Sequence, residues 1–188
     1  MKQVLTLTLL AFAPLWAFAQ FQLSGDVLFP NAVPVCNVLV ELKTADGQLL
    51  AQDLSEEDGT FLLADIPAGT NYELYFSKDD SPLNGTSTFD LVLLARRILG
   101  IDPPQAYDSW IGDVNATGST TTLDMVIIRK LILQIETTFP VPVWAFDEPS
   151  ALVPDNKIPL PTFSADTDLE VIGVKRADLN ASATQNCQ

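Results

Sequence analysis

The sequence predicts an α+β multidomain protein, with a β-sandwich first, two loop–helix units next and an irregular tail last. Three observations predict this organisation. Short alternating apolar segments separated by turn residues fill residues 20–78, and a loop–helix pattern occurs twice within residues 79–138. Prolines then recur through residues 139–188, which predicts an extended, irregular tail.

The first residues have the pattern of a secretory signal peptide. Lys2 supplies a positive charge, the run from Val4 to Phe18 is apolar, and Ala17-Phe18-Ala19 is typical of a cleavage site. We therefore expect residues 1–19 to be removed and the protein to be secreted, extracellular or attached to the cell surface. A membrane anchor is the alternative, but the run is short for a span, so we expect no membrane insertion after cleavage.

The composition excludes several classes of function. The chain has 24 acidic and 10 basic residues, a net charge of −14 and no histidine. Such an acidic chain is not expected to bind nucleic acid or anionic membrane surfaces. Without histidine the chain lacks the commonest general base, and no placed nucleophile accompanies its carboxylates, so we do not expect an enzyme.

Two cysteines, Cys36 and Cys187, lie near opposite ends of the chain that follows the predicted signal peptide. In an exported protein they could form a disulfide that joins the two ends. The sequence leaves open whether their Cα atoms come close enough for this bond.

The segment before residue 78 alternates between apolar and polar residues in the manner of β-strands. Asp-Gly and Pro-x-Gly turn signals separate its apolar runs at the spacing of a β-sandwich. The predicted strands are Phe21–Phe29, Val35–Leu42, Leu49–Leu54, Thr60–Leu63 and Tyr72–Phe76.

The order of motifs G-D-V, V-L-V-E-L, D-G-Q, D-G-T-F and I-P-A-G-T-N-Y-E-L resembles the carboxypeptidase regulatory-like and Cna-B families. The resemblance covers residues 21–77 and implies a small prealbumin-like or Ig-like sandwich on a secreted or surface protein. A rigid spacer is the favoured role for this segment. A carbohydrate-binding accessory role with a glycan ligand is an alternative, although these residues contain no evident aromatic platform.

The second loop–helix unit has the spacing of an EF-hand-type calcium loop. Ca²⁺ is a hard ion that takes six to eight oxygen ligands, and glycine at position 6 permits the sharp turn around the ion. Gly118 holds that position, and an amphipathic helix follows the loop. The predicted ligands, at positions 1, 3, 5, 7, 9 and 12, are Asp113, Asn115, Thr117, Ser119, Thr121 and Asp124.

The first unit repeats this pattern 34 residues earlier, because Asp90 aligns with Asp124 and the apolar residues through Leu99 align with those through Leu133. Its loop is a poorer match, since Pro82 and a displaced glycine interrupt the spacing. We expect this site to be rearranged, weaker or empty. Its candidate ligands are Asp79, Asp80, Asn84, Thr86 and Asp90.

Two phrases, N-G-T-S-T-F-D-L-V-L-L-A-R-R-I-L-G and D-V-N-A-T-G-S-T-T-T-L-D-M-V-I-I-R-K-L-I-L, resemble the dockerin type I-like modules of secreted Bacteroidetes proteins. The resemblance implies a non-catalytic, Ca²⁺-dependent interaction module that binds a cohesin-like or surface protein. The comparable contact positions are Thr88, Phe89, Thr122 and Leu123, although Phe89 and Leu123 are equally suited to a core. The alternative is a calcium-rigidified structural subunit that self-assembles into an extracellular surface layer or filament.

The tail contains one further motif. V-K-R-A-D-L-N-A-S-A resembles the phrase that closes such modules, with Ala177 in place of a glycine. Leu169 and Val171 begin a predicted strand. Asp178 and Asn180 are either turn residues that dock the tail, which we favour, or a further partial ligand pair.

Overall fold

The computed structural model describes residues 19–185 and 187, so the signal-peptide prediction lies outside the described residues except for Ala19. Within that range no helix is both long and apolar enough to cross a membrane. The strands are β1 (Gln20–Leu28), β2 (Leu39–Lys43), β3 (Leu49–Leu54), β4 (Thr60–Pro67), β5 (Gly69–Ser77), β6 (Trp144–Asp147), β7 (Lys157–Phe163) and β8 (Thr167–Lys175). The helices are α1 (Thr88–Ile98), α2 (Asp108–Gly112) and α3 (Thr122–Ile132).

The described strands form two four-stranded sheets, in the orders β4-β1-β8-β6 and β3-β2-β5-β7. One hydrophobic cluster joins them, with Leu23 and Val171 contributed by the first sheet and Leu42 and Leu74 by the second. Alternating buried residues along β1, β2 and β5 face this cluster, as expected for strands packed on one side. A β-sandwich is therefore present, but strands from beyond the predicted segment 20–78 complete both of its sheets.

The predicted fold class is nevertheless wrong, because the molecule is mostly β and its C-terminal part is not an irregular tail. That part supplies β6 and β8 to the first sheet and β7 to the second. β8 pairs in parallel with β1 and antiparallel with β6, so it lies inside the first sheet. The three helices are short, at 11, 5 and 11 residues, and lie in the connection between β5 and β6.

β7 was not predicted because it contains two prolines. Ile158 and Leu160 point into the core, while Pro159 and Pro161 alternate with them on the exposed side. β7 is an edge strand, paired only with β5 in its sheet. An edge strand can carry prolines because the side without a partner has no ladder hydrogen bond to lose.

The helical insertion has its own small core, formed between α1 and α3. Leu94 of α1 packs with Ile128 and Leu131 of α3 in one buried cluster. Ala177 and Leu179, which follow β8, belong to the same cluster. The insertion is therefore packed against the C-terminal segment as well as against itself.

The disulfide that the sequence left open is present. Cys36 and Cys187 are bonded, with their Cα atoms 5.6 Å apart. This spacing lies in the ordinary range for disulfides. The bond joins the connection between β1 and β2 to the end of the chain.

Candidate calcium loops

Residues 113–124, here called the contiguous loop, wrap around the side chain of Asp113. Its Oδ1 accepts a hydrogen bond from the Thr117 N–H at 3.1 Å, and its Oδ2 accepts one from the Gly118 N–H at 2.7 Å. Asn115 Oδ1 also accepts from the Thr117 N–H, at 3.2 Å. Ala116 has a φ of 54°, and Gly118 has a φ of 80°, so the backbone turns back on the carboxylate.

Asp124 closes this loop from the first turn of α3. Its Oδ2 accepts hydrogen bonds from the Thr121 N–H and the Thr121 hydroxyl, at 2.8 and 2.9 Å. The Thr121 hydroxyl in turn accepts from the Leu123 N–H, which completes a capping box and explains why the helix begins here. Asp124 Oδ1 accepts from the Val114 N–H at 3.1 Å, so the buried carboxylate also holds the residue next to Asp113.

Arg176 fixes the contiguous loop to the β-sandwich. Its buried guanidinium donates to the backbone carbonyls of Trp110, Asp113 and Pro142. Burial lowers the pKa of Arg176, against the opposing influence of the Asp113 and Asp124 carboxylates. The loop is thus attached through its first residue to the end of β8.

Asp90 in α1 has the same role as Asp124 in α3. One of its carboxylate oxygens binds the capping residue at the start of α1, and the other binds residues near the end of the chain. Its Oδ2 accepts from the Ser87 N–H and hydroxyl at 2.9 and 2.8 Å, and Ser87 caps α1 by accepting from the Phe89 N–H. Its Oδ1 accepts from the backbone N–H groups of Leu179 and Asn180, at 2.9 and 3.3 Å. Asp90 is fully buried.

The segment that reaches Asp90 repeats the hydrogen bonds of the contiguous loop. Asp178 Oδ1 accepts from the Ser182 N–H at 2.9 Å, and Asp178 Oδ2 accepts from the Ala183 N–H at 2.9 Å. Asn180 Oδ1 accepts from the same Ser182 N–H at 3.2 Å. Ala181 has a φ of 52°, close to the value at the equivalent residue of the contiguous loop.

A further hydrogen bond joins this segment to the start of the first unit. The Ser182 hydroxyl donates to the Gly85 carbonyl at 3.1 Å, as the Thr117 hydroxyl donates to the Ser119 carbonyl at 3.2 Å. Residues 178–183 and residues 85–90 therefore together reproduce one complete loop, which we call the composite loop. In the order of loop positions 1, 3, 5, 7, 9 and 12, it consists of Asp178, Asn180, Ser182, Gly85, Ser87 and Asp90.

The other candidates for the first site are exposed or make other contacts. Asp79 is exposed. Asp80 accepts from the Asn84 amide and lies 3.9 Å from Lys175 Nζ. Asn84 also bonds to Thr184, and the Thr86 hydroxyl donates to the Pro82 carbonyl. Of the predicted set for the first site, only Asp90 takes part in the repeated hydrogen-bond pattern.

Asp178, Asn180 and Ser182 are absent from the predicted first site, because that prediction assumed a loop made of one continuous stretch of chain. The available signal was the repeated order of residue types, D-V-N-A-T in the contiguous loop and D-L-N-A-S in the tail. The tail motif was interpreted mainly as a docking turn. The structure shows that it docks and also supplies the front half of a loop.

The electrostatics of the composite loop reflect its burial. Burial raises the pKa of Asp178, and the nearby Asp90 raises it further, while hydrogen bonds from Ser182 and Ala183 act in the opposite direction. Within residues 19–185 and 187, no group of three or more carboxylate, thiolate or imidazole side chains is placed to hold a metal. Each loop instead combines two carboxylates with an amide, hydroxyls and a carbonyl. This donor set consists entirely of oxygens and fits calcium rather than a softer metal.

No family model and no curated protein matches the sequence. Among solved structures, the chain is similar to BcpA, the major pilin subunit of Bacillus cereus, with 16% identity over 33% of this chain and a TM-score of 0.30. It is also similar to the pilus-presented adhesin Cpa, with 10% identity over 85% of this chain and a TM-score of 0.33. The chain covers 19% of the pilin and 28% of the adhesin. TM-scores this low carry no argument about function.

Proposed function

We propose that the chain is a non-catalytic extracellular structural module, in which two calcium-bound loops fasten the helical insertion to the β-sandwich. The observation that carries the proposal is the repetition of one hydrogen-bond pattern around two pairs of carboxylates. One pair is Asp113 and Asp124, and the other is Asp178 and Asp90.

The arrangement of each pair favours a divalent cation. In the contiguous loop, the residue after Asp113 donates to Asp124, and in the composite loop the residue after Asp178 donates to Asp90. In each loop, therefore, the residue next to the first carboxylate is tied to the second carboxylate, which lies in the first turn of a helix. An ionised carboxylate can accept several hydrogen bonds and still offer lone pairs to an ion. Ca²⁺ would supply the positive charge that balances the pair.

Three features support a structural role outside the cell. Strands from both ends of the chain interlock, since β1 lies between β4 and β8. A disulfide ties the end of the chain to the sandwich, and disulfides persist in oxidising compartments. Both proposed loops join the helical insertion to the segment after β8, so calcium would stiffen the junction between them.

Calorimetric titration with Ca²⁺ tests this proposal. We expect two sites, with dissociation constants of roughly 0.1–1 mM as in other extracellular modules. At a tenfold excess over the dissociation constant, each site should stabilise the fold by about 1.4 kcal/mol, so EDTA should lower the melting temperature. Asp124→Asn and Asp90→Asn should each abolish one site. Glu57→Gln, in an exposed turn, is the matched control.

The calcium proposal fails if the wild-type chain gives no binding heat and melts identically in Ca²⁺ and EDTA. Sedimentation velocity with and without Ca²⁺ tests the structural role separately. A structural subunit should form larger species as its concentration rises. A chain that binds two ions and remains a monomer at every concentration would retain the calcium sites but would not be a self-assembling structural subunit.

A recognition module is a second candidate, and one specific observation favours it. Equivalent positions in α1 and α3, and directly after them, carry large apolar side chains that are each half or more exposed: Phe89 and Leu123, Val92 and Val126, and Leu99 and Leu133. Phe89 and Leu123 are therefore not core residues, which leaves their proposed role as contacts open. The repeated helices thus present two similar apolar faces.

A pull-down from the secreted proteins of the same cell would separate the two candidates. Recognition predicts a single enriched partner whose capture needs Ca²⁺ and is lost in the Phe89→Ser/Leu123→Ser double variant. The control is Leu62→Ser, because Leu62 is similarly exposed but lies on β4. Equal capture by the double variant would exclude these two residues as contacts.

A further inference from the structure

The last residues of the chain form a strap that is tied to the rest of the molecule at three places. This C-terminal strap comprises residues 178–185 and 187. Its first tie is the pair of backbone hydrogen bonds from Leu179 and Asn180 to Asp90 in α1. Asp90 and Leu179 are buried, so the hydrogen bond between them is shielded from water, whereas Asn180 is exposed.

The second tie joins the strap to the loop before α1. Asn84 donates from its amide to the Thr184 carbonyl at 2.8 Å and accepts from the Thr184 N–H at 3.1 Å. Gly85 permits the close approach, since a methyl group there would lie 2.6 Å from the Ala183 nitrogen. The strap thus runs alongside this loop in a two-way hydrogen-bonded contact.

The third tie joins the strap to the β-sandwich. The Gln185 side chain accepts from the Cys36 N–H at 3.1 Å and donates to the Pro34 carbonyl at 2.7 Å. The Cys36–Cys187 disulfide closes this tie covalently. The covalent anchor therefore lies at the end of the same strap that supplies Asp178 to the composite loop.

We propose that the Cys36–Cys187 disulfide sets the calcium affinity of the composite loop, but not of the contiguous loop, by keeping the C-terminal strap docked. This inference rests on the calcium sites proposed above. In the contiguous loop, both carboxylates belong to one short stretch of chain, so their proximity needs no distant anchor. In the composite loop, Asp90 and Leu179 are 89 residues apart in sequence, so the two halves meet only through tertiary contacts, and the docked strap supplies several of them.

The Cys36–Cys187 disulfide can be opened by thiol–disulfide exchange with a dithiol reductant. The dithiol gives up two electrons and two protons and becomes a disulfide, while Cys36 and Cys187 become two thiols. Release of the covalent anchor lowers the effective concentration of the strap at α1. Calcium binding must then also supply the free energy of docking, and we expect the affinity of the composite loop to fall about tenfold or more.

Calorimetric Ca²⁺ titration of the Cys36→Ser/Cys187→Ser double variant tests the proposal. The double variant is compared with the oxidised wild type, each also carrying Asp124→Asn to isolate the composite loop or Asp90→Asn to isolate the contiguous loop. We expect at least about tenfold weaker binding in the Asp124→Asn background and less than about twofold change in the Asp90→Asn background. Circular dichroism confirms that each variant is folded.

Reversible reduction of the wild type with dithiothreitol provides a second measurement that needs no substitution. Hydrogen exchange in EDTA reports docking without calcium, and we expect faster exchange of the Leu179 and Thr184 amides after reduction. The Val114 amide, its counterpart in the contiguous loop, is the internal control and should not change.

The outcomes separate this inference from the proposed function. If the oxidised wild type binds two ions and the cysteine variant binds both equally well, the disulfide inference is overturned and the calcium sites stand. If both loops weaken together, the disulfide acts on the whole fold and the inference is also overturned. If the oxidised wild type binds no calcium, both proposals about calcium fail, and hydrogen exchange alone decides whether the disulfide holds the strap.

Discussion

The backbone N–H of Leu179 donates a hydrogen bond to Asp90 Oδ1 at 2.9 Å, which joins the start of α1 to the segment after β8. It is the counterpart of the Val114 hydrogen bond to Asp124 at 3.1 Å. In one unit the two partners are ten residues apart, and in the other they are 89 apart. The same local geometry therefore closes a short loop in one case and connects distant parts of the chain in the other.

Removing the Asp90 carboxylate should destabilise the protein even without calcium. Asp90→Ala removes one half of the capping box of α1 and leaves the buried Leu179 N–H without its acceptor, so we expect the free energy of unfolding to fall by about 2–4 kcal/mol. Urea unfolding in EDTA measures this change. Glu57→Ala should change the free energy by less than about 0.5 kcal/mol, as is usual for exposed positions. A loss below 1 kcal/mol for Asp90→Ala would contradict the assigned role.

Two glycines with similar backbones should respond differently to alanine. Gly85 and Gly118 have φ values of 78° and 80°, so alanine is strained at either position by about 1–2 kcal/mol. At Gly118 the new methyl group meets open space, but at Gly85 it would lie 2.7 Å from Asp178 Oδ2. We expect Gly85→Ala to cost clearly more and to speed amide exchange in the strap, whereas Gly118→Ala should leave the strap unaffected. Equal costs would show that the strap is not packed against Gly85.

Loss of the Arg176 guanidinium should loosen the junction between the contiguous loop and the sandwich. Arg176→Met keeps most of the side-chain volume but leaves the carbonyls of Trp110, Asp113 and Pro142 without this donor. We expect the free energy of unfolding to fall by about 2 kcal/mol or more, as measured in urea. Arg129→Ala is the control because Arg129 is exposed on α3, and a similar effect of both substitutions would argue against a special role for Arg176.

Replacement of Lys175 should raise the free energy of unfolding, unlike the substitutions above. Its side chain is 1% exposed, and within the described residues its Nζ makes no hydrogen bond, the nearest carboxylate being Asp80 at 3.9 Å. Burial lowers the pKa of Lys175 below its ordinary value of 10.5, with Asp80 and Asp178 acting in the opposite direction. Burying the charged form costs free energy, so Lys175→Met should raise the free energy of unfolding at neutral pH by about 1 kcal/mol or more.

The pH dependence follows from the lowered pKa of Lys175. Below the pKa in the folded state, the ammonium is charged in both states and the cost of burial is fully present. As the pH rises from the folded-state pKa toward 10.5, the folded protein loses the proton first and the cost of burial shrinks. The free energy of unfolding of the wild type should therefore approach that of Lys175→Met. Unfolding curves at neutral and alkaline pH measure this convergence. A constant difference between the two proteins would show that Lys175 does not carry a buried charge.

The strands before residue 78 could be predicted because their signals are local. Apolar alternation and Asp-Gly turns place β1 and β3 within one residue of the predicted segments at both ends, whereas β2 and β5 begin four and three residues away from theirs. What the sequence did not reveal was non-local. Three features depend on segments that are far apart in the chain. They are the pairing of β8 with β1, the edge position that allows prolines in β7, and the proximity of the Asp178 segment to Asp90.

The parallel pairing of β1 with β8 has a consequence for how the protein acquires its structure. In the first sheet, β4 and β1 are joined to β6 only through β8, which consists of residues 167–175. A nascent chain that has not yet reached this region lacks one of the two inner strands of the sheet, so the sheet cannot be complete before residues 167–175 have been synthesised. Such a high contact order also predicts folding on a timescale of about milliseconds to seconds, slower than for a helical bundle of similar size.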